Sequence, residues 1–466
     1  MNLKDPEKIA EQKSKREVTC TPAKNDSSKT YRTATHLKKI MLLTDSFLPH
    51  GGGSREYYFN IYRALARLGH TEVTIVTKKV PGWREFDRQA VAPKFEICRL
   101  FRPLLSWKYR ELPKGVLALF HALWHLCLKV PDSVHAGDLY PPGVIAYLLW
   151  KVFRIPYLIY CHGEEVTQTD RFRYQPRLRD AIYKNAEAVV ANSEFARRQL
   201  LRIGVSHDRI TVITPGVDAS LFRPEKRDQK LSQLYSVEDK IVLLTVARLV
   251  PRKGHQMALR ALAEIKDEFP RLHYLIVGSG PEAVGLRKAA QELGISDRVT
   301  FAGFVPAEIL PKLYNLCDIM FLANREEADG DVEGFGIVFL EAGASGKPVI
   351  GGRSGGAIEA IEEHVTGCLI DPDDFRDATQ TLRRLLSDNA LRKRMGDASR
   401  RRVIKQFDWG SRARVLEELN NRVCRTKHVA TSAWSTLEKD KVKHALKRDA
   451  QEKLSVKKFR ESGLHS

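Results

Sequence analysis

Short apolar runs alternating with helical periodicity constrain this chain more than any other feature of its sequence. The runs are Ile40–Leu43, Val73–Val76, Phe95–Ile97, Tyr157–Tyr160, Ala188–Val190 and Ile210–Ile213 in the first half. In the second half they are Ile241–Leu244, Tyr274–Val277, Val299–Phe301, Ile319–Leu322, Pro348–Ile350 and Cys368–Ile370. Runs this short, apolar on both faces and bounded by Gly, Asp or Ser, read as buried parallel strands. Between them, Arg55 to Leu68 and Met257 to Phe269 carry the i, i+3, i+4, i+7 apolar spacing of helices. A β-then-α repeat predicts a parallel sheet covered by helices on both faces. About twelve strands exceed one comfortable sheet. A break near Pro215 to Pro224 predicts two doubly wound α/β domains of similar size. In such sheets ligands bind beyond the carboxyl ends of the strands, so two facing domains would share one cleft.

The segment Asp329 to Gly356 carries the most chemistry. Glu333 precedes Gly334-Phe335-Gly336, an apolar helix follows, and Glu341 lies eight positions after Glu333. A helix N-terminus offers free N–H groups and a partial positive charge that suit a phosphate. Glycines let a ligand approach the backbone. Read as one helix, eight residues span about 12 Å, comparable to the distance from a nucleoside ribose to a sugar beyond a diphosphate. Taken singly, each Glu is more often an ordinary loop or helix-surface charge. Arg248 and Lys253, just after the run Ile241 to Val246, supply two cations at the same edge, suited to a diphosphate leaving group. Alone, they would be an ordinary basic turn. His162, before Gly163 at the end of the run Tyr157 to Cys161, is the one histidine placed at a ligand edge. A lone histidine there is more often structural.

Together these residues resemble the large retaining glycosyltransferase family 4, whose fold, GT-B, pairs two facing Rossmann-like domains. The resemblance rests on the Glu, seven residues, Glu element of Glu333 and Glu341 with Gly334, Phe335, Gly336 and Ile337. Arg248/Lys253, Val277-Gly278-Ser279-Gly280-Pro281, Phe301-Ala302-Gly303-Phe304-Val305 and Pro49-His50-Gly51-Gly52-Gly53 extend it over about Lys39 to Arg425. It implies that Glu341 holds the ribose and Glu333 the transferred sugar. Phe335 to Ile337 present N–H groups to sugar and phosphate, and Arg248 and Lys253 bind the diphosphate. Gly278 and Gly280 belong to the donor site, and Gly303, Phe304 and Val305 lie beside the base. Gly51, Gly52 and Gly53 approach the diphosphate or acceptor, and His162 touches the sugar and the reacting phosphate. It further implies an acceptor domain (39–222), a nucleotide-sugar domain (223–408) and a helix crossing back (409–425). Outside it, an arm (1–38) rich in Lys, Glu, Ser and Thr reads as disordered by composition, and a basic tail (426–466) follows. Retention is implied to follow front-face attack, with no residue as nucleophile. Asp331 to Gly356 is most similar to mannosyltransferases of the phosphatidylinositol type, which implies GDP-mannose, with another GDP- or UDP-sugar as the alternative.

No metal or other cofactor is expected, because Arg248 and Lys253 already supply positive charge. Asp329-Gly330-Asp331 matches the metal-diphosphate signature of another glycosyltransferase fold, but such a tripeptide is commoner as a solvated acidic loop. The seven cysteines are widely spaced, without a C-x-x-C pair, which fits a reduced cytoplasmic setting. The first 39 residues lack a signal-peptide core, and no apolar stretch reaches spanning length. The net charge of +20 favours an anionic partner. Leu104 to Val130, with Trp107, Tyr109, Phe120 and Trp124 among Arg102, Lys108, Arg110 and Lys114, could rest on the anionic inner face of the plasma membrane. The competing reading makes its apolar positions core. The acceptor is expected to be lipid-linked or a saccharide of the cell envelope. Two other functions fit parts of the sequence. A GT-B nucleotide-sugar epimerase would use the same cleft. A nucleic-acid-binding protein suits the charge, but no zinc finger, RNP-like segment or basic recognition helix accompanies it, so no nucleic-acid partner is expected.

Overall fold

The structure is a computed structural model, and it describes residues 37–49, 51–90, 92–100, 130–168 and 176–425. The N-terminal arm, His50, the basic aromatic segment up to residue 129 and the basic tail lie outside the described residues.

Among the described residues, thirteen strands form two wholly parallel sheets. The first contains β1 (Lys38–Leu43), β2 (Thr71–Lys78), β3 (Phe95–Leu100), β4 (Ser133–Ala136), β5 (Tyr157–Cys161), β6 (Ala188–Ala191) and β7 (Ile210–Val212), in the order β3-β2-β1-β4-β5-β6-β7. The second contains β8 (Ile241–Val246), β9 (Leu272–Val277), β10 (Val299–Gly303), β11 (Ile319–Leu322), β12 (Val349–Gly352) and β13 (Gly367–Ile370), in the order β10-β9-β8-β11-β12-β13. The central strands are apolar throughout because helices cover both faces: every residue of β5 and of β9 is buried. Each apolar run read from the sequence falls on a strand. β4, whose Ser133 and His135 keep it from standing out as an apolar run, sits between β1 and β5, with Leu42 beside His135.

In each sheet the chain first winds outward one way and then returns to the other side of its first strand. The reversals lie between β1 and β4 and between β8 and β11. Loops leaving such a pair diverge and open a crevice at the strand ends. The candidate site residues gather at these two crevices.

The chain crosses between the sheets over residues 213–240 and crosses back after the helix Asn389–Gln406. The two crossings meet where Val217 N–H donates to the Phe407 carbonyl at 2.8 Å. A last helix, residues 409–425, lies on the first sheet. Its Trp409, Ala413, Leu416, Leu419 and Val423 join Tyr57, Ile61, Tyr160 and Val190 in one buried cluster. Asn420, fully buried, accepts from Ser133 Oγ at 2.6 Å and from His135 Nε2 at 3.2 Å, and so ties this helix to β4. Among the described residues no helix is long and apolar enough to cross a membrane.

Candidate active site

The second crevice is built from the loops after β8 and β11. After β11 the chain runs through Asp329–Glu333 to Gly336, which caps the helix Ile337–Ala344. Gly336 has φ 90°, a conformation open to glycine at little cost, and it turns the chain into the helix with the first N–H groups facing the crevice. Phe335 and Phe339 are buried beneath and fix the helix start in place. The helix begins four residues after Glu333, so Glu333 stands on the approaching loop. The single helical span expected between Glu333 and Glu341 is therefore half loop, because Gly334 and Gly336 break the helical path.

Glu333 is surrounded by cations. The loop after β8 tightens into a short turn, Pro251–Lys253, which points both Arg252 and Lys253 at Glu333. Arg252 Nη1 lies 3.2 Å from Glu333 Oε2, and Lys253 Nζ bonds the same oxygen. Burial works against ionisation of this carboxyl, yet Lys253, Arg252 and Arg248 outweigh it and hold it down to about 2. Arg248 is exposed at the crevice and acts on Lys253 as well as Glu333. It also acts on Arg55 of the opposite domain. Two like charges facing each other across a cleft favour an anion between them. Arg252 had no signal in the sequence beyond lying beside Lys253 in a basic turn.

Glu341, one turn into the helix, accepts from Tyr314 Oη at 2.7 Å. Burial pushes its carboxyl up to about 7 despite this bond, with Glu56 of the first domain adding to the rise. Glu56 lies in the first turn of the helix Gly53–Arg67 and is likewise pushed up to about 7, chiefly by burial. These two helices start close together: a Cβ on Gly53 would lie 3.9 Å from Ile337 Cδ1. Gly51 and Gly52 are exposed in front of that contact, and Arg55 Nη1 donates to the Gly51 carbonyl at 2.9 Å. Two helix N-termini and the cations thus border one gap.

His162 follows β5 on the facing wall. Tyr58 Oη donates its single proton to the Gly137 carbonyl and lies 2.6 Å from His162 Nε2, so Nε2 carries the ring proton. Nδ1 accepts from Asn192 Nδ2 at 3.2 Å, while Asn192 Oδ1 accepts from Ser193 Oγ at 3.1 Å. This assignment rests on the bonding network. Burial lowers the ring pKa to about 4, in agreement with a neutral imidazole. Both ring nitrogens are engaged within the first domain, so contact with a sugar or phosphate requires one bond to be exchanged. Tyr58 and Asn192 left no signal in the sequence, since their role depends on which strands stand together.

The remaining residues divide by cause. A Cβ on Gly278 would come 1.9 Å from the Ala247 carbonyl oxygen, and one on Gly280 would come 2.3 Å from that of Leu249. Close packing of the two loops by itself accounts for glycine there. Gly303 ends β10 with φ 70°, Phe304 beyond it is 67% exposed, and Val305 packs against the second core. Asp331 is engaged: one oxygen lies 3.2 Å from Arg252 Nε, and its own N–H donates to Asp329.

Two family models divide the chain much as its sheets do: Glycosyltransferase Family 4 matches residues 51–221, and Glycosyl transferases group 1 matches residues 226–402. A relative from Mycolicibacterium smegmatis, a GDP-mannose-dependent alpha-(1-6)-phosphatidylinositol monomannoside mannosyltransferase, is 30% identical over 82% of this chain and 97% of its own length. The chain belongs to glycosyltransferase family 4. It is a glycosyltransferase with the GT-B fold. A D-inositol 3-phosphate glycosyltransferase of Nocardia farcinica is 35% identical over 74% of this transferase and 79% of its own length. Among solved structures, Anabaena HepE in complex with UDP and glucose matches with TM-score 0.70 and 23% identity, covering 82% of the transferase and 99% of that chain. Sucrose-phosphate synthase from Thermosynechococcus elongatus gives 0.69 and 24%, covering 84% of the transferase and 100% of that chain. At these identities the matched structures speak for the fold.

Proposed function

We propose that this glycosyltransferase moves mannose from GDP-mannose to a lipid-linked or glycan acceptor of the cell envelope, with retention of configuration and without a metal. The observation that carries the reading is the gap bordered by two helix N-termini, Arg248 and Lys253, with Glu333 ionised at its edge. A nucleoside diphosphate supplies the negative charge this gap lacks. In this reading Glu341, one turn further in, takes the ribose hydroxyls, and Glu333 takes hydroxyls of the transferred sugar. The relative that uses GDP-mannose on a phosphatidylinositol monomannoside supports the choice of sugar and the lipid-linked class of acceptor.

In this reading the bond between the sugar's anomeric carbon and the diphosphate oxygen breaks, and its electron pair leaves with the diphosphate. The acceptor oxygen bonds to the anomeric carbon from the same face. Its proton passes to the departing phosphate oxygen. Arg248, Lys253 and the helix N–H groups stabilise the charge growing on the leaving group, worth about 3–4 kcal/mol per well-placed donor. In the same reading the first domain takes the acceptor at the inner face of the plasma membrane, drawn there by the basic excess.

A donor panel tests the sugar. Purified transferase is incubated with GDP-mannose, UDP-glucose and related nucleotide sugars, and slow hydrolysis is followed by NMR. GDP-mannose should be consumed fastest; preference for a uridine nucleotide would refute that choice. An altered but intact nucleotide sugar would mean an epimerase. Sedimentation with anionic liposomes at low salt tests the membrane, and absence of binding would exclude attachment.

A further inference from the structure

Arg252 lies in the short turn with Lys253, is 8% exposed, and meets the Glu333 loop at three points. Its Nη1 lies 3.2 Å from Glu333 Oε2 and 3.4 Å from the Val332 carbonyl oxygen, and its Nε lies 3.2 Å from Asp331 Oδ2. Its own carbonyl accepts from Arg325 N–H at 2.9 Å, which fixes the turn against the start of the same loop. Lys253 occupies the same Glu333 oxygen. Two buried cations therefore share one carboxylate oxygen. A guanidinium held between two carboxylates and a backbone carbonyl loses more on leaving than an ammonium on a flexible stem.

We propose that Arg252 is the positioning residue that keeps Glu333 ionised and aimed at the sugar when the donor diphosphate draws Lys253 away. This rests on the donor site proposed above and adds a division of labour between neighbouring cations. When the gap is empty, Lys253 and Arg252 both neutralise Glu333. When the diphosphate enters, Lys253 swings to it, and the fixed Arg252 remains as the counter-ion. Without Arg252, that exchange would leave a buried carboxylate unpaired, and it would take up a proton instead. The charged groups around Glu333 are Arg252, Lys253 and Arg248 from the loop after β8 and Asp331 on its own loop. From the facing wall, Glu164 acts on Arg252, and the neutral His162 stands behind Gly334.

The test compares Arg252→Gln, Arg252→Lys and Asp331→Asn with the wild type in donor hydrolysis from pH 5 to 8, using GDP-mannose. If the wild type ignores GDP-mannose, the proposed sugar fails, and the comparison runs on whichever nucleotide sugar of the panel it does hydrolyse. Arg252→Gln should lose at least about tenfold in kcat, while the Kd for the free nucleoside diphosphate stays within about threefold. Its kcat should fall on the acid side at a pH at least about one unit higher than in the wild type, because Glu333 now protonates within the measured range. Arg252→Lys restores the acid side in part, and Asp331→Asn shows a smaller shift of the same sign. Circular dichroism confirms that each variant is folded, and if Arg252→Gln is not, Asp331→Asn carries the test. An unshifted acid side, or a loss carried wholly by KM, overturns the proposal.

Discussion

Gly334 lies against His162: a Cβ on Gly334 would come 2.5 Å from the His162 carbonyl oxygen and 2.9 Å from Asn192 Nδ2. The loop that carries Glu333 is therefore in backbone contact with the wall that carries His162. Thr167 Oγ1 donates to the Gly330 carbonyl at 2.7 Å, and Glu359 accepts from the N–H groups of Glu194 and Phe195 at 2.8 Å each, along the same seam. These contacts set the spacing between the Glu333 loop and the facing wall.

Gly334→Ala should test that spacing. The added methyl must push the two walls apart, and a misplacement near 1 Å costs about 100-fold in rate. Activity should fall by about that factor, while binding of free nucleoside diphosphate, measured by calorimetry, changes little.

Glu333→Ala should abolish turnover and retain nucleotide binding, because the proposed donor site assigns this carboxylate to the sugar and not to the base or ribose. Full activity in this variant, by the donor-hydrolysis assay, would remove Glu333 from the site.

Tyr314→Phe removes the hydroxyl that Glu341 accepts from at 2.7 Å. Glu341 then loses its orientation, and its carboxyl rises further. Nucleotide affinity should weaken by about tenfold, in line with a hydrogen bond to a charged group worth roughly 1.5 kcal/mol or more. Titration calorimetry at pH 7.5 reads this directly.

Stability should depend on Glu341 with a definite sign. An unfolded Glu ionises near 4.5, whereas burial holds Glu341 protonated up to about 7. Between these values the folded state keeps a proton that the unfolded state has released, so the contribution of Glu341 is greatest below about 4.5 and is lost as pH rises through 7. Glu341→Gln does not titrate. Its melting temperature relative to the wild type should therefore climb between pH 5 and pH 8, by scanning calorimetry; a gap independent of pH would show that Glu341 is not perturbed.

Asn420→Ala should destabilise the chain by about 1–3 kcal/mol, since Ser133 and His135 would be left buried with an unmet partner. Urea unfolding measures the loss, and nucleotide binding should be unaffected.

The sequence by itself determined the class of fold. Runs such as Tyr274–Val277 and Tyr157–Tyr160 are too apolar to stand anywhere but in a strand covered on both faces, and their alternation with helices leaves few topologies. It also marked Glu333, Glu341, Arg248, Lys253 and His162 as candidates, because their resemblance to family 4 motifs rests on local features: glycines, helix starts and strand ends. It did not disclose β4, whose Ser133 and His135 look too polar for a central strand until Asn420, some 285 residues away, meets them. Nor did it disclose Arg252, Tyr58, Asn192, Glu56 or Tyr314, or the fact that Glu333 stands on a loop. Which side chains share a hydrogen bond, and which carboxylate ionises, depends on groups brought within a few ångströms from distant parts of the chain. Only the packed sheets bring them there, since both pairing and desolvation act over contact distances.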